Sequence, residues 1–528
     1  MESNPFSGAL QTIGRAAARA AQRAQRFEGL GRLASRDTLK DLVERRLKGR
    51  KLVLASNREP YVHIWKDKEP IWYRPAGGLT IALDSMASAC GATWVCHGGG
   101  DADFAVCDQE GRVRVPPNRP TYTLRRIALT PEEEKGYYDG FSNETLWPLC
   151  HVCYVRPKFS LPDWQTYQAV NAKFAAAVAE ESPEGSVVFL QDFHLSLVGR
   201  LLKDRRPDLT TVLFWHIPWP NPEIFRVCPY KKELLEGLLG NDIIGFHLRY
   251  HADNFMETVG LELESLVDWE GQRVQRGEHR TRVLSYPISI DFESVYRQAE
   301  STEVAEACKQ LKAEHKLEGL KVGVGVDRMD YTKGIPERLN ALGRFFDLYP
   351  EWRGRFTFIE IGVPTRTQLE DYQAVVSDVE QLCEKLNARL ATDSWRPVIL
   401  MKGHQNFDTL VPFYKLADLC VVSSLHDGMN LVAKEFVAAS SNDRGVLLLS
   451  PFAGAARELE QAIIVNPYDS ESFAEAIHQA LEMPAEEQKS RLEQMRARVA
   501  ERNIYVWAQD ILQDVVDLAE KNSLAGRS

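Results

Sequence analysis

Short, continuous runs of apolar residues recur along the chain, separated by longer stretches of helical character. One series of runs occupies 51–56, 93–96, 187–190, 212–215 and 243–246, and a second occupies 321–326, 356–361, 397–400, 419–422 and 446–449. Buried parallel strands have this appearance, whereas half-exposed strands alternate apolar and polar residues. The alternation of strand and helix predicts an α/β fold, and the restart of the series at 321 predicts two Rossmann-like, doubly wound domains.

The length of 528 residues suits two or three domains. We predict a first Rossmann-like domain over 51–287 and a second over 288–490, with the boundary near Tyr286-Pro287-Ile288. The remaining residues, 491–528, are predicted to be helical.

The first 50 residues form a basic extension, with 11 Lys or Arg and five Asp or Glu, whereas the whole chain has a net charge of −10. Arg15, Arg19, Arg23 and Arg26 recur at helical spacing, which predicts a helix with a basic stripe. Such a stripe fits a solvated helix or a contact between subunits, so a homo-oligomer stays open. It also fits an organellar transit peptide or a membrane-surface segment.

Composition excludes several classes of protein. The negative charge argues against nucleic-acid binding, and no apolar run approaches the ~18 residues of a membrane helix. An odd number of cysteines, nine, and no recognisable secretory signal favour a cytoplasmic, reducing location. The single pair Cys150 and Cys153, and the acidic pair Asp101 and Asp103, lack the further ligands of a metal site, so we expect no metal at either pair.

Candidate chemical groups follow the predicted strands, where doubly wound sheets bind ligands. In the first half these are Arg58, the paired glycines ending at Gly78, Asp192 with His194, and His216. Paired glycines before a helix allow an anion to approach backbone N–H groups. Histidine and aspartate at strand ends suit acid–base chemistry or metal binding.

In the second half, Arg328 and Lys333 follow the strand 321–326, a combination that suits a diphosphate. Asp427 and Gly428 are expected to end a strand, and the residues that follow to form the first turn of a helix with free amides for phosphate. Glu435 lies eight residues after Asp427, where a carboxylate can accept hydrogen bonds from a ribose.

Taken together over about residues 50–515, these clusters resemble the trehalose-6-phosphate synthase family, glycosyltransferase family 20. The strongest matches, in chain order, are Tyr137-Tyr138, Phe141-Ser142-Asn143, Leu146-Trp147-Pro148, His216-Ile217-Pro218, Pro222-Glu223-Ile224-Phe225, Arg328 through Gly334, Asp427 through Glu435, Phe452 through Ala456, and Val465-Asn466-Pro467-Tyr468. The resemblance implies a GT-B fold, in which two Rossmann-like domains face a central cleft and the C-terminal helices cross back to the first domain. It also implies retaining transfer of glucose from a nucleotide sugar, with no cofactor.

The resemblance also implies individual roles. The donor would be bound by Gly78, His216, Arg328, Lys333, Asp427, Gly428, Met429, Asn430, Leu431, Val432 and Glu435. The acceptor would be bound by Arg58, Tyr138, Trp147, Asp192 and Arg366. Arg328, Lys333, Asp192 and His216 would support catalysis, with no protein nucleophile and no metal.

The resemblance implies UDP-glucose as donor and glucose 6-phosphate as acceptor, although the motifs alone leave UDP, ADP and GDP open. A sister transferase that uses another phosphorylated acceptor, such as a glucosylglycerol-phosphate synthase, is the alternative, because Arg58-Glu59-Pro60-Tyr61 and Gly245-Phe246-His247-Leu248 are similar to that group. A non-catalytic homologue is the third hypothesis. The retention of Arg328, Lys333, Asp427 and Glu435 argues against it.

Overall fold

The first half of the chain is built on one large sheet. The structure, a computed structural model, describes residues 34–47, 49–75, 78–403 and 407–525, so the arginine stripe predicted at 15–26 lies outside the described residues. The strands are β1 (Leu52–Ser56), β2 (Val62–Lys66), β3 (Glu69–Tyr73), β4 (Thr93–His97), β5 (Arg112–Val115), β6 (Tyr122–Ile127), β7 (Val187–Gln191), β8 (Thr210–Phe214), β9 (Ile243–Phe246), β10 (Leu266–Asp268), β11 (Arg273–Arg276) and β12 (His279–Ser285).

Ten of these strands form the first sheet, in the order β10-β11-β12-β9-β8-β7-β1-β4-β6-β5, and β2 pairs with β3 in a separate hairpin. The central strands from β12 to β6 run parallel, whereas β5, β10 and β11 pair antiparallel at the two edges. The order of pairing reverses at β1, which lies between β4 and β7.

A second, wholly parallel sheet follows, in the order β15-β14-β13-β16-β17-β18. Its strands are β13 (Lys321–Met329), β14 (Phe356–Pro364), β15 (Val398–Lys402), β16 (Leu419–Val422), β17 (Val446–Leu449) and β18 (Ile463–Ile464). Numbered from β13, this is the strand order 3-2-1-4-5-6 of the Rossmann fold, and it reverses between β13 and β16. Two doubly wound sheets in one chain form the GT-B architecture that the sequence predicts.

Helices cover both sheets. They are α1 (Arg36–Arg46), α2 (Gly78–Cys90), α3 (Pro131–Glu134), α4 (Trp147–His151), α5 (Leu161–Glu181), α6 (Val198–Arg205), α7 (Pro222–Phe225), α8 (Lys231–Leu238), α9 (Arg249–Glu262), α10 (Phe292–Ala299), α11 (Thr302–Glu314), α12 (Ile335–Leu348), α13 (Glu370–Leu390), α14 (Phe407–Leu416), α15 (Leu431–Ala439), α16 (Ser470–Glu482), α17 (Ala485–Glu501) and α18 (Ile504–Ala525). A π-helix, Lys135–Leu146, joins α3 to α4. None of the helices within the described residues is both long and apolar enough to span a bilayer.

Every apolar run predicted as a strand overlaps a strand of the structure. The central strands are buried along their whole length, because helices cover both faces of each sheet. Several strand ends differ from the prediction, and the largest differences, of three residues, are at the ends of β13 and β14. Strand β13 was predicted to end at 326 but pairs with β14 as far as Met329, so Arg328 lies inside the strand rather than after it.

The last helix, α18, packs against the first sheet. The indole of Trp507 lies 5.8 Å from the ring of Phe189 and 5.2 Å from that of Phe214, measured between ring centroids. The backbone N–H of Ile504 donates to the carbonyl of Ile290 where the chain crosses between the two sheets. One continuous apolar core therefore includes residues of both sheets and of this helix.

Candidate active site

The predicted chemical groups gather where the strand order of each sheet reverses. In the first sheet, Arg58 follows β1 and Asp192 follows β7, the two strands that flank the reversal. In the second sheet, Lys333 follows β13 and Asp427 follows β16. A reversal of strand order opens a crevice beyond the carboxyl ends of the strands, where such folds bind ligands.

Arg58 and Tyr138 form one wall of the crevice. Nη2 of Arg58 donates to the hydroxyl of Tyr138 at 2.6 Å, and the guanidinium lies 5.4 Å from the ring centroid. Burial raises the pKa of Tyr138, but the charges of Arg58, Arg366 and Arg328 outweigh it and lower the pKa to about 7. Three guanidinium groups therefore make this wall strongly positive, as the binding of a phosphate requires.

Asp192 occupies a constrained position beside this wall. Its φ of 72° and ψ of 171° place it in a region of backbone conformation that is otherwise occupied almost only by glycine. Oδ1 accepts hydrogen bonds from the backbone N–H groups of Phe193 at 3.0 Å and His216 at 3.1 Å. Burial nevertheless raises the pKa of Asp192 to about 7. The carboxyl can therefore exchange a proton or a hydrogen bond with a hydroxyl near neutral pH.

Two histidines border Asp192. His216 Nε2 lies 2.8 Å from Oε1 of Gln191, an oxygen that can only accept, so Nε2 carries the hydrogen and Nδ1 is left as an acceptor. The ring of His194 stacks on Tyr138 at 5.7 Å, and its buried Nε2 has no hydrogen-bond partner among the described residues. Burial lowers the pKa of both imidazoles well below the usual value, so both are neutral.

Lys333 and Asp427 form a buried ion pair in the second domain, with Nζ 2.5 Å from Oδ2. Burial raises the pKa of Asp427, but Lys333 outweighs it and lowers the pKa to about 2. Arg328, by contrast, makes no hydrogen bond or ion pair with the residues that the structure describes. Its guanidinium lies 5.5 Å from the ring of Trp147. It is therefore available to an anionic ligand.

Trp147 brings the two domains together. It belongs to α4 of the first domain, yet its ring lies 4.1 Å from the guanidinium of Arg366 in the second domain, on the residues just after β14. Arg366 also donates to Asp330 at 3.2 Å and to the hydroxyl of Tyr372. The indole Nε1 of Trp147 is buried and has no partner within the described part of the chain.

The loop 428–430 and the start of α15 lie beside the ion pair that Asp427 forms, and Nδ2 of Asn430 donates to Oδ2 of Asp427 at 3.3 Å. The helix begins at Leu431, with Val432 next, so the helical turn predicted directly after Asp427-Gly428 starts two residues later. Asn430, with a φ of 74°, caps the helix through Oδ1, which accepts from the N–H of Ala433 at 3.3 Å. Met429, before the cap, is buried.

Glu435 lies one turn further along α15. Its Oε2 accepts a hydrogen bond from the hydroxyl of Tyr414 at 3.0 Å, and burial raises its pKa to about 7. In the first domain, α2 begins at Gly78 and so presents its free N–H groups at the position predicted for an anion, while residues 76 and 77 lie outside the described residues. Tyr138 in the π-helix and Trp147 in α4 are thus brought to the strand ends by long-range packing, and no contact in the described residues ties Gly78 to either strand-end cluster.

A buried cluster of one arginine and two carboxylates has a structural role that the sequence did not reveal. Arg126 is fully buried and pairs with Glu59 at 2.7 Å and Asp103 at 2.9 Å, which fixes the loop directly after Arg58. Asp103, which forms the acidic pair of the sequence with Asp101, is therefore engaged in an ion pair with Arg126. Within the described residues no three His, Cys, Asp or Glu side chains are grouped to hold a metal ion. All nine cysteines are free thiols.

Comparison with known proteins identifies the family. The family model described as glycosyltransferase family 20 matches residues 50–517. The α,α-trehalose-phosphate synthase [UDP-forming] of Schizosaccharomyces pombe is 32% identical over 91% of this chain and 93% of its own length. A bifunctional trehalose-6-phosphate synthase/phosphatase of Thermoproteus tenax is 35% identical over 88% of this chain, which spans 63% of the length of that relative.

A solved structure agrees with the sequence comparison. The α,α-trehalose-phosphate synthase (UDP-forming) of Burkholderia xenovorans in complex with glucose-6-phosphate superposes with a TM-score of 0.79 at 30% identity, and the match covers 88% of this chain and 99% of that one. The matched region contains both sheets and every candidate site residue, and so the chain is a glycosyltransferase that belongs to glycosyltransferase family 20.

Proposed function

We propose that this chain transfers glucose from UDP-glucose to glucose 6-phosphate with retention of the anomeric configuration, giving α,α-trehalose 6-phosphate and UDP. A relative named UDP-forming and a neighbour that binds glucose-6-phosphate support this choice of substrates. Since trehalose phosphate consists of glucose joined to glucose 6-phosphate, a UDP-forming synthase must take the other glucose from UDP-glucose.

One observation carries the proposal. Trp147 of the first domain lies against Arg328 and Arg366 of the second, so the two strand-end clusters face each other across one crevice. A donor and an acceptor that each contact both clusters would meet in this crevice in an orientation suited to reaction.

The donor side is cationic where a diphosphate would lie. Arg328 and Lys333 hold the diphosphate, helped by backbone amides at Gly78 and Leu431. Glu435 accepts hydrogen bonds from the ribose hydroxyls, as acidic residues do in dinucleotide-binding folds. Asp427 and the free Nδ1 of His216 accept hydrogen bonds from the hydroxyls of the transferred glucose.

The acceptor side combines charge with aromatic surface. Arg58 and Arg366 hold the phosphate of glucose 6-phosphate, while Tyr138 and Trp147 line the sugar pocket. Asp192 lies beside the attacking hydroxyl and can accept a hydrogen bond from it. Its constrained backbone holds that carboxyl in place before the substrates bind.

In the reaction step the bond between the anomeric carbon and the diphosphate oxygen breaks, and a bond to the 1-hydroxyl of the acceptor forms on the same face. The proton of that hydroxyl passes to the departing diphosphate. Arg328 and Lys333 stabilise the negative charge that develops on the diphosphate in the transition state. The proposal therefore includes no metal and no cofactor. Nine free thiols suit a cytoplasmic, reducing compartment.

An acceptor panel with UDP-glucose tests the proposal. Release of UDP and the mass of the product are measured with glucose 6-phosphate, glycerol 3-phosphate and unphosphorylated glucose. We expect glucose 6-phosphate to exceed both others by more than ~10-fold in kcat/KM, because a site built around a phosphate and sugar hydroxyls rejects ligands that leave those groups unpaired.

The other outcomes decide against the proposal. A higher kcat/KM with glycerol 3-phosphate than with glucose 6-phosphate would identify the chain as a glucosylglycerol-phosphate synthase instead. No release of UDP with any acceptor would favour a non-catalytic homologue.

A further inference from the structure

A hydrogen bond joins the two domains one residue away from the donor carboxylate Asp427. The Nδ1 atom of His426 lies 2.6 Å from the backbone carbonyl oxygen of His151. A carbonyl oxygen only accepts, so Nδ1 carries the hydrogen and donates it. His426 precedes Asp427 in the second domain, and His151 ends helix α4 of the first.

The same short helix carries Trp147 of the acceptor pocket. The Nδ1 atom of His151 lies 2.9 Å from the carbonyl oxygen of Trp147, and the two rings are 4.0 Å apart. Trp147 in turn faces Arg328 and Arg366. A continuous set of contacts therefore runs from the donor carboxylate through His426 and His151 to the acceptor pocket.

The backbone just after the accepted carbonyl is strained. Val152 has a φ of 54° and Tyr154 a φ of 62°, and a β-branched residue in the left-handed region is a rare and costly conformation. Such conformations persist only where neighbouring groups hold them, and they cluster at functional sites. The bond from His426 holds the peptide group between His151 and Val152, which sets the orientation at the start of this turn.

The imidazoles around this bond are neutral. Burial lowers the pKa of His151 to about 3 and that of His251, whose ring lies 6.1 Å from His426, to about 4. Burial also lowers the pKa of His426, against the opposing effects of its hydrogen bond to His151 and of Asp427. The bond therefore adds no charge beside the ion pair of Lys333 and Asp427, and its contribution is one of position.

We propose that His426 is a positioning residue that couples the two substrate sites: by holding the carbonyl of His151, it makes donor binding near Asp427 and acceptor binding near Trp147 favour each other. This inference rests on the proposed function for the identity of the two ligands. A coupling of this kind is reciprocal, so either ligand should raise the affinity for the other.

Calorimetric titration of UDP, with and without saturating glucose 6-phosphate, measures the coupling. His426→Asn keeps an N–H donor near the position of Nδ1, whereas His426→Leu keeps similar bulk and loses the donor. In the wild type and in His426→Asn we expect glucose 6-phosphate to tighten UDP binding by about 5-fold or more. In His426→Leu we expect less than about 2-fold tightening, with the affinity for UDP alone little changed.

Steady-state kinetics supply a second readout that a general loss of stability would not imitate. In His426→Leu, the KM for glucose 6-phosphate at saturating UDP-glucose should rise by about the factor of coupling that is lost, while His426→Asn restores the wild-type value. If His426→Leu does not fold, His426→Ala replaces it in the same comparison with His426→Asn.

Three results would overturn the inference: no coupling in the wild type, full coupling in His426→Leu, or the same loss in His426→Asn as in His426→Leu. Failure of the proposed function would be seen separately. The wild type would then bind the two ligands without forming trehalose 6-phosphate.

Discussion

Two carboxyl groups of the site, Asp192 and Glu435, are buried with too few partners to keep them fully ionised. Burial raises the pKa of each to about 7. Asp427, which is partly buried, keeps a pKa of about 2 because Lys333 lies against it. Asp427 therefore stays charged, whereas the charges of Asp192 and Glu435 depend on pH and on bound ligands. Perturbed pKa values of this kind cluster at functional sites.

Replacing Glu435 should therefore stabilise the unliganded protein. Because folding raises the pKa of Glu435, the free energy of unfolding of the wild-type protein falls as the pH rises from about 4.5 through about 7. The advantage of Glu435→Gln over the wild type in free energy of unfolding should grow between pH ~5 and pH ~8, to at most about 3 kcal/mol. Its Tm should rise relative to the wild type in the same way. The affinity for UDP should fall, because glutamine offers one acceptor oxygen instead of two.

Differential scanning calorimetry across this pH range measures the effect. Glu471→Gln, an exposed glutamate of the same domain, is the matched control and should give no increase with pH. A Tm difference for Glu435→Gln that stays constant with pH would contradict the assignment of a buried, poorly compensated carboxyl.

Arg328 and Lys333 differ in what their removal does. Arg328→Ala or Lys333→Ala should each lower kcat by more than ~10-fold, the scale of losing a charge contact in the transition state. Lys333→Ala should also destabilise the fold because it leaves Asp427 buried without its partner, whereas Arg328→Ala removes no ion pair with a described residue. Arg344→Ala, an exposed residue of α12, is the control. Near-normal turnover in both variants would remove the diphosphate assignment.

At the residue scale, candidate site residues could be predicted from the sequence only where they directly follow a predicted strand. Arg58, Asp192, Lys333 and Asp427 follow strands, and the structure groups them for that reason. His194 follows β7 as well, but its stacking on Tyr138 and its unpartnered Nε2 depend on the π-helix, which no local pattern indicates. Long-range pairing between residues far apart in the chain cannot be predicted from spacing.

At the scale of elements, buried parallel strands were predictable because each is a short apolar run. The hairpin of β2 and β3 was not predicted, since Glu69–Tyr73 is exposed along its whole length and its pattern does not indicate a buried face. The antiparallel strands β10 and β11 lie in a charged stretch and were missed for the same reason. The late end of β13 depends on pairing with β14, which again is not a local property.

Gly428 determines how closely the loop before α15 approaches the first domain. A Cβ at this position would lie 2.2 Å from the carbonyl oxygen of His216. Gly428→Ala should therefore displace the loop from β8 and lower kcat/KM for UDP-glucose by more than ~10-fold, since a small misplacement of catalytic groups is costly.

Gly99→Ala is the matched control, because a Cβ there would meet only the imidazole of His97, at 3.9 Å. It should retain nearly full activity. Retention of full kcat/KM in Gly428→Ala would show that the loop can move without consequence and would contradict the close approach as a requirement.

At the scale of the whole molecule, the charges of the site oppose those of the protein. The chain has a net charge of −10 although its first 50 residues are basic, so the rest of the chain is strongly acidic. Arg58, Arg328, Lys333 and Arg366 nevertheless converge on the crevice between the domains. Local cations in a crevice of low dielectric can dominate the potential there despite an unfavourable overall charge.

Substrate binding across the crevice should draw the domains together, because in the proposed function each ligand contacts residues of both. Small-angle scattering with UDP and glucose 6-phosphate should give a smaller radius of gyration than the unliganded protein, with a smaller change for glucose 6-phosphate alone. An unchanged radius with both ligands would count against closure.

The anomeric configuration of the product tests the central claim most directly. The wild-type chain is incubated with UDP-glucose and glucose 6-phosphate, and the product is assigned by mass and by proton NMR of its two anomeric positions. The account predicts a phosphorylated disaccharide with the α configuration at both positions, formed in equal amount to UDP. A β linkage at the transferred glucose, or UDP release without a disaccharide, would contradict it.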